Sequence, residues 1–443
     1  MKLKIYEDSK NYTCQVIKLP HKVPVAGLDN LVQVSYQGND CLIGKDSNPD
    51  ELYLFFPAEC QLSQEFLSRN NLFRHSELNA DKDKKGFFED SGRVKAIKFK
   101  GVISTGFIIP INSLKCFNNF YNGEDYIIPK VGDEFNEFNG IEVCRKYIKP
   151  KEKQQGMSNP KTKVLDNIVD SKFAPQHFDT AHLLKNTHKL NLNDYIAITY
   201  KLHGTSARYF NTLVKRSLTW KDKLAKWFGV IVDEEYYDYI CASRQVIKSC
   251  GFEELPNKNH YYNDNLWSAV GKEYFENRLK KGEAIYCEIV GKTYNGSPIQ
   301  GGYTYGFEKP EVFIYRISNI NYQGLEVDLS YHQMKQRAEE LGVKVCPELF
   351  YGTLSTFILN NKGNISISEY PEFSGLENEL TNIFYNKLLE KPSILDKSVV
   401  EEGFCVRIDK YPKPDIFKIK SKKFLEHETK ALDKEEINME ENA

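Results

Sequence analysis

The sequence predicts an α+β protein of two folded domains, a small β-barrel followed by a larger mixed domain. Three observations carry that expectation. A chain of 443 residues is long enough for two or three domains, each with its own core. Its first third is a run of short strand-like segments punctuated by glycine, and the rest mixes strand-like and helical stretches. Between the two lies the polar stretch KPKEKQQGMSNPKTKVLDN. The expected division is a first domain at 1–150, a linker at 151–169, a mixed domain at 170–430 and an acidic tail at 431–443.

In the first domain, Leu31–Tyr36 and Leu52–Phe56 are apolar or alternating runs. Arg93–Lys100 and Val102–Pro110 flank Gly101, with Gly92 and Gly106 marking turns or bulges. Ile97 and Phe99 alternate with Lys98 and Lys100, which predicts a half-buried strand with a basic outer face. An OB-like barrel is one fold of this kind among several. The lysines, glutamines and prolines between Ile148 and about Val169 read as an interdomain linker. Beyond it, strands are expected at Tyr195–Tyr200, Ala284–Val290, Val312–Ile317 and Gly403–Ile408, and helices at Ser330–Leu341 and Leu376–Leu389. The end, DKEEINMEENA, reads as a frayed tail.

Composition excludes several classes. With 60 Lys+Arg against 61 Asp+Glu, net charge announces no polyanion partner, so a nucleic-acid surface must come from local clustering. The opening MKLKIYEDSK lacks the apolar core of a secretory signal. No stretch approaches about 18 uninterrupted apolar residues, so no membrane partner is expected. The ten cysteines are scattered singly and form no C-x-x-C pair. They read as reduced core residues of an intracellular protein, cytoplasmic or in a host cytoplasm if viral.

The chemistry concentrates around Lys201, in ITYKLHGTSAR. A lysine amine attacks phosphorus only when neutral, which needs neighbouring cations or burial. The preceding strand would hold it, and Gly204 lets the following turn approach a ligand closely. A lysine before a glycine turn is usually just solvated, so the rest of a phosphate site must exist elsewhere. It does. Glu402 precedes a strand where its carboxylate could hold a divalent metal. Sixteen residues later Lys418 and Lys420 alternate about Ile419, so both amines would share a face. A basic surface strand is the plain reading of that pair alone. Arg244 falls near a strand end. Glu288, an acid inside an apolar strand, is costly without a partner. Tyr315 could stack on a base or simply pack in the core.

The ordered set Lys201-Leu-His-Gly, Ser243-Arg244, Glu288, Tyr315, Glu402-Gly403 and Lys418-Ile-Lys420 resembles the six-part signature of the covalent nucleotidyltransferases. KLHGTS is closest to the ATP-dependent RNA ligases, and the likeness covers roughly residues 170–428. RVKAIKFKGVISTGFIIPI is similar to the OB-like domain of one RNA ligase branch that seals 3′-hydroxyl to 5′-phosphate ends. The resemblance implies a mixed α/β nucleotidyltransferase domain with antiparallel sheets. It makes Lys201 the nucleophile that takes AMP from ATP, with Lys418 and Lys420 on the α-phosphate. It puts Leu202, His203, Gly204, Ser206 and Arg244 around the nucleotide, Glu288 on the ribose hydroxyls and Tyr315 on adenine, with Phe313 able to serve instead. Glu402, with Glu288, would hold Mg²⁺ or Mn²⁺. The partners implied are RNA ends, bound by a monomer, in RNA repair. Two residues depart from the pattern: Tyr200 stands where many relatives have glutamate, and Arg316 replaces an acid.

DNA ligases and capping guanylyltransferases share these motifs but carry a further OB domain after Lys-x-Lys, and only 23 residues follow Lys420. A non-catalytic RNA-binding protein is the remaining alternative. The basic segment Arg216–Trp227 could face RNA, but its tryptophans are expected to dock on the domain, leaving Lys98 and Lys100 as the better RNA contacts.

Overall fold

The computed structural model describes residues 2–117, 129–148, 168–251, 265–362 and 374–434. Nearly all of the expected linker and most of the tail lie outside the described residues. The chain forms two compact units. One comprises Met1–Lys151, Leu376–Glu390 and Lys420–Glu435; the other comprises Glu152–Gly375, Lys391–Ile419 and Glu436–Ala443.

In the first unit Leu52–Pro57 is the central strand. It lies between Gly106–Pro110 and Cys14–Lys18 in a four-stranded sheet that ends at Glu134–Phe135. Leu54 and Phe56 point into one apolar cluster with Phe66 and Phe117, while Tyr53 and Phe55 point into another with Val34 and Ile43. Burial on both faces explains why LYLFF reads as an unbroken apolar run. A separate three-stranded sheet carries Val23–Pro24, Leu31–Tyr36 and Asn39–Gly44.

No strand order among the described residues closes, so the expected closed barrel does not form. The run Val102–Pro110 breaks at Thr105, whose N–H donates to the Asp40 carbonyl (2.7 Å) and whose carbonyl accepts from the Ala58 N–H (2.9 Å). Gly106–Pro110 then joins the four-stranded sheet, while Val102–Ser104 pairs only with Ile97–Phe99. That hairpin corrects a second expectation. Ile97 and Phe99 are 50% and 43% exposed, because their strand has just one partner and buries neither face.

The second unit holds two sheets. One runs Ala181–His182, Asp415–Lys420, Gly403–Ile408, Tyr195–Lys201, Glu348–Thr353; Lys420 itself counts with the first unit. The other runs Ile247–Cys250, Glu235–Ser243, Thr205–Lys215, Glu283–Val290, Glu311–Ile320, Glu326–Asp328, with Lys344–Val345 added parallel to Glu311–Ile320. Most pairings are antiparallel. Trp267, Val270 and Phe275 of helix Leu266–Phe275, with Tyr331, Met334, Ala338 and Leu341 of helix Tyr331–Leu341, cover one sheet face through Tyr209, Ile285, Cys287 and Ile314. The second helix starts on a Ser330–Gln333 capping box and stops at Gly342 in the left-handed region, φ 66°. The strand expectations for this unit and its helix at Ser330–Leu341 hold, with ends shifted by a few residues. The expected helix Leu376–Leu389 instead falls mostly in the first unit, as an α-helix over Ser374–Thr381 followed by a π-helix over Asn382–Leu388.

Candidate active site

Lys201 ends its strand opposite Gly403, and that register sets Glu402 beside it. The Lys201 Nζ lies 2.7 Å from a Glu402 carboxylate oxygen, with the lysine side chain 15% exposed and the glutamate 0%. The chain then crosses from one sheet to the other through Leu202, His203 and Gly204. Only glycine fits at 204: a Cβ there would stand 2.3 Å from the Ile289 carbonyl oxygen.

Three buried side chains fix this turn. The Glu288 carboxylate accepts from the Gly204 N–H (3.0 Å), the Gln300 amide donates to the Gly204 carbonyl (2.7 Å), and the Tyr305 hydroxyl accepts from the His203 N–H (2.8 Å). The acid in the apolar strand therefore has a backbone partner. Gln300 and Tyr305 lie in a loop without periodicity, and nothing in the sequence singled them out. His203 is buried with its ring edge-on to Tyr303 at 5.0 Å, and Leu202 is core.

Beyond the turn, Ser206 pairs in register with Glu288, and its Oγ lies 2.9 Å from the Tyr315 hydroxyl. Tyr315 owes its position to a β-bulge, since Tyr286 faces Arg316 and Cys287 faces Ile314, leaving Tyr315 unmatched. Ile314 and Ile317 stay in one core while Tyr315 and Arg316 both leave it. Burial raises the Tyr315 hydroxyl pKa above the usual phenol range, Glu288 adds to this, and Ser206 and Arg244 oppose it. Those four groups therefore share one neighbourhood. Arg244, just past the strand end, pairs with Asp179. Phe313 is buried against Phe307 at 6.1 Å.

Lysine and glutamate converge on a buried thiol as well. Cys346 is pushed well above the usual thiol range by burial, then by Cys405 and Glu288, while Lys201 pulls the other way. Glu401, next to Glu402, is 2% exposed and its carboxyl is pushed up to about 7, chiefly by burial and also by Glu402.

The C-terminal lysines divide. Lys418 lies in register with half-buried His182, whose imidazole is lowered to about 4 by desolvation and by Lys418. Ile419 between them is fully buried while both lysines are half-buried, the alternation expected of the strand. Lys420 belongs to the first unit, where its ammonium lies 3.1 Å from both Glu428 carboxylate oxygens. Tyr200 packs its ring on Phe404 at 5.0 Å. Arg316 is fully buried, its guanidinium bonded to Glu326 (2.8 Å) and Asp328 (2.9 Å) and 4.2 Å from the Tyr286 ring centroid.

Among the described residues no three His, Cys, Asp or Glu side chains gather as a metal cage. The oxygen donors of Glu402 and Glu288 suit a hard cation that completes its shell with substrate phosphates and water.

The RNA ligase family pattern matches residues 194–420, just over half of the chain. The chain belongs to the RNA ligase family. Solved structures agree at the level of fold. An apo mutant of Naegleria gruberi RNA ligase matches with TM-score 0.54 and 15% identity, covering 94% of this chain and 98% of that one. A mutant of the same enzyme with ATP and Mn gives 0.53 and 14%, covering 97% and 99%, and another with AMP and Mn gives 0.53 and 15%, covering 94% and 98%. No curated protein sequence matches. Among the described residues of this RNA ligase, no helix is long and apolar enough to cross a membrane.

Proposed function

We propose that this RNA ligase is ATP-dependent and joins RNA 3′-hydroxyl and 5′-phosphate ends in the repair of broken RNA, working inside the cell as a monomer. The observation that carries the reading is the buried Lys201–Glu402 pair at 2.7 Å, set at the mouth of a turn whose backbone is fixed from three sides.

In the first step neutral Lys201 Nζ attacks the α-phosphorus of ATP. A nitrogen–phosphorus bond forms, the bond to pyrophosphate breaks, and the amine proton leaves to solvent. In the second, a 5′-phosphate oxygen of RNA displaces the lysine from AMP and the amine regains a proton. In the third, the RNA 3′-hydroxyl attacks that 5′-phosphorus, loses its proton and expels AMP. Lys418 and Lys420 act on the α-phosphate, where charge develops on the oxygens in each displacement. Arg244, Ser206 and the backbone of Leu202, His203 and Gly204 bind the nucleotide. Glu288 takes the ribose and Tyr315 the adenine face. Glu402 and Glu288 would hold Mg²⁺ or Mn²⁺, which would supply Lewis-acid charge to the reacting phosphate.

Glu402 has a second task. A carboxylate at this distance attracts the Lys201 ammonium and opposes its attack. Engaging the carboxylate elsewhere releases the amine for attack. The first unit is the RNA-holding part in this reading, OB-like in function, with Lys98 and Lys100 on an exposed hairpin that also presents Ile97 and Phe99.

The test is incubation of the purified chain with ATP labelled at the α-phosphate and Mg²⁺ or Mn²⁺. A covalent, acid-labile adduct is expected, followed by its transfer to a 5′-phosphorylated RNA nick. No adduct with either metal would remove the reading.

A further inference from the structure

Between strands Thr205–Lys215 and Glu235–Ser243 the chain inserts a helix, Trp220–Trp227. The expectation that its tryptophans dock on the domain fails: Trp220 is 70% exposed and Trp227 77%. The helix itself is well made. Thr219 and Asp222 form a capping box, and Gly229 at φ 79° ends it while the Val230 N–H reaches back to the Ala225 carbonyl (3.0 Å). A helix this carefully capped, yet burying none of its residues, is built to meet something else.

Its apolar residues share a side. Trp220, Leu224 and Trp227 recur at i, i+4 and i+7, and exposed Phe228, Val230 and Ile231 follow at once. At about 100° per residue, Lys221 and Lys223 fall on the two flanks of that face, while Asp222 lies behind it. Two of the insertion's three acids are ion-paired, and the third, Asp233, is exposed just beyond Ile231. Asp222 pairs with Arg216 (3.1 Å), and Glu234 with Lys226 at 2.5 Å. The face thus presents aromatic and aliphatic side chains rimmed by two lysines, with these two acids neutralised away from it.

We infer that this insertion seats on an anionic lipid surface. An interfacial helix places Trp, Phe and Leu at the headgroup–acyl boundary and lets flanking lysines reach lipid phosphates. The charge arrangement is complementary to that surface. RNA fits less well. Base stacking needs flat aromatic platforms along a cationic groove, whereas Trp227 is turned edge-on against Phe228 (4.7 Å, 68°) and Leu224, Val230 and Ile231 cannot stack. The contact is peripheral and requires no spanning helix.

The chain has three tryptophans, and the third, Trp267, is fully buried. Intrinsic fluorescence therefore reports on this helix directly. The full chain is mixed with vesicles of phosphatidylcholine alone or with phosphatidylserine, some carrying bromine on the acyl chains. Expected are sedimentation with the serine-containing vesicles, a blue shift, and bromine quenching of the exposed tryptophans only. The variant Leu224→Asp with Ile231→Asp keeps both probes and is expected to bind at least about tenfold more weakly, while its lysine adenylylation stays unchanged as a check on folding. Absence of vesicle binding in the wild type, or equal binding by the variant, overturns the inference. So does loss of RNA joining by the variant without vesicles, which assigns the face to RNA, or wild-type dimerisation abolished by the variant, which assigns it to a second copy.

Discussion

Two cations of the second unit, Arg316 and Lys201, stand beside carboxylates, and the contrast between them separates scaffold from the proposed chemistry. Arg316 is fully buried, grips two carboxylates and lies against Tyr286, with Glu326 further bound by Ser318 (2.7 Å), the Tyr286 hydroxyl (2.6 Å) and Lys413 (2.6 Å). Lys201 lies 2.7 Å from the Glu402 carboxylate, keeps 15% of its side chain accessible, and stands at a strand end. A guanidinium cannot lose its proton in a protein and makes a planar fork that holds two acids in place. A primary amine can lose its proton and become a nucleophile. In the proposed mechanism the unit uses the group that cannot titrate to brace the sheet and the group that can titrate to meet the substrate.

The largest effect should come from breaking the bracing side. Arg316→Ala strands Glu326 and Asp328 in the interior and is expected to cost about 3–5 kcal/mol of stability, measured by urea unfolding. Arg316→Lys should recover only part of that, because one ammonium cannot serve both acids. A small loss in both variants would make the two cations equivalent and dissolve the contrast.

Glu402→Gln attacks the other side. It should slow lysine adenylylation by roughly 10²–10³-fold while leaving the urea midpoint close to wild type. A variant that unfolds instead would make the Lys201–Glu402 pair structural.

Acid sharpens the comparison by a third route. Burial alone would raise the Glu326 carboxyl, but Arg316 and then Lys413 override it and hold the group at about 2. Its folded value lies below the ordinary 4.5, so its contribution is fully present above about pH 4.5 and is lost as pH falls toward 2. That contribution is about 3 kcal/mol, and unfolding followed from pH 6 down to 2 should show it in the wild type. Glu326→Gln should flatten that part of the profile.

Gln300→Ala and Tyr305→Phe carry the smallest effect. Each frees one side of the turn after Lys201 and should lower the adenylylation rate about tenfold. Because both residues act by positioning, the loss should fall on the rate more than on the ATP concentration needed for half-saturation.

The sequence shows the half proposed to be catalytic better than the bracing half. Lys201, Glu402 and Glu288 stand out because an ionisable residue beside a strand and a glycine turn is unusual on local grounds. Strand Gly403–Ile408 was expected with its observed ends. Arg316 registered only as a departure from a pattern, since its acids reach it through strand pairing. Gln300 and Tyr305 act through contacts about a hundred residues away in sequence, which leave no periodic trace. The same blindness to pairing explains the barrel that did not close: Val102–Pro110 has the composition of one strand, and the break comes from what Thr105 bonds. For the Trp220–Trp227 helix, composition could not tell a docked apolar face from a presented one.

The central claim is that Lys201 is the amine that becomes bonded to AMP. Proteolysis of the labelled enzyme and mass spectrometry of the adenylylated peptide would locate that bond among Lys201, Lys418 and Lys420. The adduct is expected on the peptide containing KLHGTS, and to vanish in Lys201→Ala while Lys418→Ala and Lys420→Ala still direct any residual adduct to Lys201. Label found on another lysine, or surviving in Lys201→Ala, would contradict the account.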